Sequence, residues 1–183
     1  NDGRTLASVM DGADYDHLIQ LLQQQRGLPE SAVKHMRPWV VIMILMMPAE
    51  GQLGSGDALD MVLYRRAALR SIPLLGLETA EEQIAIFDTL SIDEQVWMLN
   101  KSVADFELID GLFAQMLDAY LAGDLGTLMT MQRQYDDPES DIDNRLMLAM
   151  LDQRNLRMVE RMQHFLHQGN AFIAIGALHL PGE

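Results

Sequence analysis

Apolar residues recur at helical spacing along most of the chain. Between positions 14 and 25, Tyr15, Leu18, Ile19, Leu21 and Leu22 mark one face of a helix whose other face is rich in glutamine, and Gly27 supplies a stop. The most apolar run, residues 39–47, lies between Pro38 and Pro48 and falls well short of the ~20 residues of a membrane-spanning helix. It predicts a buried helix entered through Pro38 in its first turn, with Met36 and the run's own methionines as adaptable core filler. Residues 50–56 carry three glycines among polar positions, too irregular for a phosphate loop, and predict a flexible connection. Asp57 then caps a helix reaching Arg70, with Leu59, Leu63 and Ala67 on one face.

Two segments break this period. Residues 72–77 and 172–178 are apolar at nearly every position, as strands of a parallel sheet covered by helices are. The first run ends on Glu78 and the second on His179. Because ligands of open α/β sheets sit at the carboxyl ends of strands, the two ends predict one shared site. Between the runs, Thr79 and Glu82 have the spacing of a capping box, as do Ser91 and Glu94. A helix over 103–122 is closed by Gly123, and a further one holds Leu125, Leu128, Met129 and Met131. The acidic stretch 136–141, interrupted by Pro138, predicts an exposed turn. The longest helical pattern covers 142–168, and Gly169-Asn170 ends it. With no fixed-period repeat, the expectation is a single helix-rich α/β domain over residues 1–183 with a small, mostly parallel sheet.

Composition narrows the chemistry. A net charge of -14 argues against nucleic acid or an anionic membrane as partner, since both require a concentrated positive face. The absence of cysteine removes disulfides, zinc-thiolate sites and thiol nucleophiles, so any metal must use His, carboxylate or amide ligands. No basic segment followed by an apolar one opens the chain, so no signal peptide is predicted within it.

His179 is the leading candidate for chemistry, because imidazole is both a common metal ligand and the side chain that titrates near neutral pH. Gly176, three residues earlier, permits close approach of backbone or ligand, although a histidine that merely caps a strand fits the same pattern. Glu78 precedes a capped helix whose dipole favours a carboxylate, whether as a base or ligand or as a plain helix-end charge. Were the two adjacent, a mixed His/carboxylate site for a divalent ion would result. Arg154, Arg157 and Arg161 share a helix face that suits an anionic substrate group or a solvated network with Asp152 and Glu160. His164 and His167 are i, i+3 neighbours in a last helical turn, where a partly positive imidazole suits the dipole better than a metal does.

Several segments together resemble the TraB/GumN family, which also contains the TIKI metalloproteases: residues 58–67, 72–83 with Gly76-Leu77-Glu78-Thr79, 152–155 with Arg154-Asn155, and 172–180 with Gly176-Ala177-Leu178-His179-Leu180. The resemblance implies an α/β fold related to the erythromycin-esterase and haem-uptake ChaN-like proteins. It also implies a metal-dependent hydrolase, a peptidase by analogy with the TIKI branch, acting on a peptide or protein substrate. Glu78 and His179 correspond to a catalytic, metal-holding pair for a divalent ion such as Mn, Co or Zn, and Arg154 and Asn155 to substrate-orienting residues. The family's first Gly-x-x-His has no counterpart here, which implies a domain lacking its N-terminal portion and its C-terminal end, inactive by itself. The alternative within the family is a non-catalytic protein that binds a peptide signal. An extracytoplasmic, bacterial location is the expectation that goes with the resemblance.

Overall fold

Helices account for all the regular structure described by the computed structural model, which covers residues 3–47, 58–135 and 139–181. They are α1 (Gly12–Arg26), α2 (Glu30–Val33), α3 (Pro38–Met46), α4 (Leu59–Leu69), α5 (Ala80–Asp88), α6 (Ile92–Ala104), α7 (Phe106–Ala122), α8 (Leu125–Tyr135), α9 (Asp141–Met147) and α10 (Gln153–Gln168). A wider π turn, Leu148–Asp152, joins α9 to α10, and single 3-10 turns lie at Leu6–Ser8 and Ala177–His179. The chain divides into two units, Asn1–Gly54 with Phe87–Ala114, and Ser55–Ile86 with Gln115–Glu183.

The first unit is built around α1, α3 and α6. Asp11 caps α1 by accepting the Ala13 N–H at 3.0 Å, and Gly27 ends it at φ +64°, a left-handed conformation that glycine adopts without a Cβ penalty. Leu18, Leu22, Val41, Leu45 and Leu99 are fully buried together, with Leu6 and Val33 closing the cluster. Arg26, the last residue of α1, donates to the carbonyl oxygens of Ile44 (3.3 Å), Leu45 (2.8 Å) and Met47 (2.6 Å). It thereby satisfies the acceptors that the end of α3 leaves without intrahelical partners. Its guanidinium also lies 5.4 Å from the centre of the Phe106 ring. Tyr15 reaches from the core to Glu30, donating at 2.8 Å, and burial with this carboxylate pushes its phenol up to about 12.

Pro38 opens α3 as expected, and Met36 packs against the core. Met43, Met46 and Met47 face solvent instead of filling the interior. The helix predicted over 103–122 breaks at Asp105, so its first residues close α6 and the remainder forms α7. Both capping boxes form, with reciprocal bonds between Thr79 and Glu82 and between Ser91 and Glu94. The cap predicted at Asp57, the connection at 50–56 and the start of the acidic turn at 136–138 lie outside the described residues.

The second unit holds α4, α8, α9 and α10, with Ile86, Leu128, Met131 and Met158 among its buried residues. Here the α/β expectation fails. No strand is present among the described residues, and the runs 72–77 and 172–178 are extended or turned segments that do not pair. Apolar composition makes a segment suited to burial, but a strand also needs a neighbouring backbone to exchange hydrogen bonds with. The backbone bonds of these runs are local: Ile72 N–H to Ala67 O, and His179 N–H to Gly176 O at 3.0 Å. Ile72, Leu75 and Phe172 consequently remain exposed. The chain is helix-rich, as predicted, but the small parallel sheet of an erythromycin-esterase/ChaN-like fold is not present among the described residues.

Candidate functional site

Although the two runs do not pair as strands, their ends meet side chains from the same helix. Gly76 lies in a tight approach: a Cβ there would come within 3.0 Å of the Glu78 carbonyl oxygen, so a larger residue would force the backbone to shift. This turn carries Glu78 to the threshold of α5, where the Thr79 cap fixes the helix start. At the other run, the bond from His179 N–H to Gly176 O closes the Gly-x-x-His segment into one 3-10 turn. A Cβ at Gly176 would lie 3.5 Å from His179 Cδ2, an ordinary contact. The spacing thus folds the ring back over the glycine.

Helix α10 supplies the partners. Arg154 Nε donates to both Glu78 oxygens at 3.0 Å, and its Nη2 donates to Oε2 at 2.7 Å. The remaining arm of this guanidinium, Nη1, donates to Met150 O in the π turn at 3.1 Å. The Glu78 side chain is 4% exposed, although the residue as a whole is only half-buried. Its carboxyl is held below the usual glutamate range chiefly by the Arg154 hydrogen bonds, which outweigh the cost of burial, with Gln83 and Arg157 assisting. Arg161, one turn further on, donates to Leu77 O at 2.7 Å and grips Glu82 through Nη1 and Nη2 at 2.8 and 2.5 Å. Those bonds and the Thr79 N–H bring Glu82 down to about 2.

Asn155, next to Arg154 on α10, accepts from His179 Nδ1 through Oδ1 at 2.7 Å. With that oxygen accepting, Nδ1 carries the ring proton and Nε2 keeps its lone pair. Partial burial and the nearby positive Arg154 lower the His179 pKa, against a weaker opposing pull from Glu78. The imidazole is therefore held neutral at pH 7, with Nε2 as a proton acceptor or ligand.

All four residues singled out in the sequence, Glu78, Arg154, Asn155 and His179, fall in this one cluster. Arg154, Arg157 and Arg161 do share a face, but their partners are Glu78 and Glu82 from across the unit rather than the neighbouring Asp152 and Glu160. His164 and His167 make local contacts with Gln168 and Gln163 and take no part. Gln83 was not anticipated, because nothing in its spacing distinguishes it from any exposed first-turn residue.

As a metal centre the donor set is uneven. His179 Nε2 suits ligation, and an orienting bond on the other ring nitrogen is the usual support for a ligating histidine. Glu78 does not fit as arranged: guanidinium groups occupy both its oxygens and would repel a cation placed beside them. No group of three or more His, Asp or Glu side chains is arranged for a metal ion among the described residues. Likewise, no helix among them is long and apolar enough to cross a membrane.

The fold and site define a helical protein with an amide-oriented imidazole beside an arginine-clasped glutamate. The chain belongs to the TraB/PrgY/gumN family, whose family model it matches over residues 1–183. No curated protein and no solved structure matches it.

Proposed function

We propose that this chain carries the reaction centre of a hydrolase acting on peptide bonds, of the TIKI-like metallopeptidase type, with His179 as its proton-accepting residue. The observation supporting this most directly is the His179–Asn155 bond, which fixes the tautomer so that an unprotonated Nε2 is presented at neutral pH. A water beside Nε2 would lose its proton to the imidazole as it attacks a substrate carbonyl. Asn155 Nδ2, which has no acceptor among the described residues, can donate to the substrate and orient it. Glu78 acts by anchoring Arg154, whose charge adds to partial burial in lowering the His179 pKa. A divalent ion, were one held by His179 Nε2, would supply a polarised carbonyl and an activated water in place of the imidazole's own proton acceptance, because the ring has a single free lone pair.

The test is turnover of a quenched-fluorescent peptide library, with and without added Mn, Co or Zn, by the chain and by His179→Ala and Asn155→Ala. His179→Ala should abolish cleavage and Asn155→Ala should reduce it by about 10- to 100-fold. Equal cleavage by all three would refute the assignment. A second reading is favoured by the engagement of Glu78 with arginine, which leaves the carboxylate unavailable as a base: the site binds a peptide signal without cleaving it. Saturable binding of library peptides with no cleavage under any of these conditions would select it.

A further inference from the structure

Arg157 differs from its two neighbours on α10 in how little of its guanidinium is used. Arg154 and Arg161 each make three or more short hydrogen bonds. Arg157 has one acceptor among the described residues, Glu78 Oε1, at 3.5 Å, the outer limit of a hydrogen bond. Its Nε is buried without a partner. A guanidinium carries five N–H donors, and leaving buried donors unmet is costly, so a side chain held this way has capacity that the protein does not absorb. Its side chain is 36% exposed. In direct contact, three guanidinium groups face two carboxylates, Glu78 and Glu82, leaving an excess positive charge in a strongly acidic chain.

We infer that Arg157 is the binding residue for a ligand carboxylate. Arginine pairs with carboxylates through two parallel N–H···O bonds; Nη1 of Arg157 and the second N–H of its Nη2 have no acceptor among the described residues and can form that fork end-on, whereas the donors of Arg154 are committed to Glu78 and Met150. Arg157 lies against Glu78, which Arg154 also clasps, and Asn155, next to Arg154, holds His179. Calling the carboxylate a substrate's rests on the hydrolase reading above; the binding itself does not. Within that reading, the site prefers peptides bearing a carboxylate close to the bond presented to His179. This carboxylate is either the chain terminus or an acidic side chain.

Three probes separate the two sources: N-acetyl-trialanine with a free terminus, its amide, and the amidated N-acetyl-Ala-Glu-Ala. Binding is followed by the NMR signal of Arg157 Nε–H, and affinity is compared in the chain, Arg157→Gln and Arg157→Lys. Each carboxylate probe that the site accepts should bind about tenfold or more tightly than the neutral amide. The preference should vanish in Arg157→Gln and survive only in part in Arg157→Lys, which keeps the charge without the fork. Preference for the free terminus alone identifies a C-terminal carboxylate, and preference for the glutamyl amide alone an acidic side chain. Equal binding of all three probes, no binding of any, or a preference retained in Arg157→Gln would overturn the inference. Failure of the hydrolase reading shows up separately, as tight carboxylate binding by a chain that cleaves nothing.

Discussion

Replacing Glu78 with glutamine tests whether the Glu78–Arg154 pair is a structural clasp. The substitution keeps the side chain's shape and one carbonyl acceptor but removes the charge that Arg154 meets through three N–H···O contacts of 2.7–3.0 Å. Glu78 is 4% exposed and Arg154 18%, so the stranded guanidinium has limited access to water. Breaking a buried pair by removing one partner costs about 3–5 kcal/mol. The retained acceptor and the partial exposure of Arg154 place Glu78→Gln near the low end, at ~3 kcal/mol, roughly a hundredfold in the folded-to-unfolded ratio. Urea unfolding followed by circular dichroism at pH 7 measures this. Trp39 and Trp97 both lie in the first unit, so their fluorescence should register less of the loss than the dichroism does. The double variant Glu78→Gln/Arg154→Met, with neither charge left, should be more stable than Glu78→Gln alone. The pH dependence has a definite sign. Because the folded pKa of Glu78 lies below the ordinary value of 4.5, the pair's stabilisation is full above 4.5 and declines as pH falls through the folded value. The gap between the chain and Glu78→Gln must therefore close in acid. A Glu78→Gln variant within about 0.5 kcal/mol of the parent at pH 7 would refute the clasp.

Two further outcomes follow from the geometry. Arg26→Met should destabilise the first unit by about 1–3 kcal/mol by leaving carbonyls at the end of α3 without their donor, read as a lower urea midpoint in tryptophan fluorescence; an unchanged midpoint would show that solvent replaces Arg26. In a histidine NMR titration, His179 should protonate below the ordinary 6.5, and Asn155→Asp should move its midpoint upward by placing a carboxylate against Nδ1–H. Since the folded value is the depressed one, the stability associated with neutral His179 is present above 6.5 and lost as pH falls through the folded value. A midpoint at or above 6.5 in the parent chain contradicts the burial and the Arg154 field assigned to it.

Local signals in the sequence carried through well. Gly27, Pro38, the Thr79 and Ser91 boxes and Gly169 each act within a few residues, and each marks a helix end where it was read. The strands failed because the inference needed a partner that a run's own composition does not contain: six apolar residues before Glu78 indicate a preference for burial and say nothing of which backbone pairs with them. The site was legible for a different reason from the one first given. Strand ends were expected to bring Glu78 and His179 together, whereas consecutive residues of α10, Arg154 and Asn155, hold them. Gly-x-x-His spacing proved informative because it closes a 3-10 turn, a purely local event. The use of Arg154 against Glu78, 76 positions apart, could not be read from helical spacing, which pointed to Asp152 and Glu160.

The π turn at Leu148–Asp152 takes up one extra residue just before α10. One residue contributes about 100° of rotation to an α-helix, and a π turn accommodates its extra residue within a single turn. Met150, whose carbonyl receives Arg154, belongs to that turn. Deleting one residue there would restore a regular helix with Arg154, Asn155 and Arg157 still in phase with Glu78 and His179, and would remove only the widened turn whose Met150 carbonyl receives Arg154. The same deletion one turn further on, inside α10, would swing the residues after it by about 100°, so the chain has one place beside its polar centre where a change of length is absorbed.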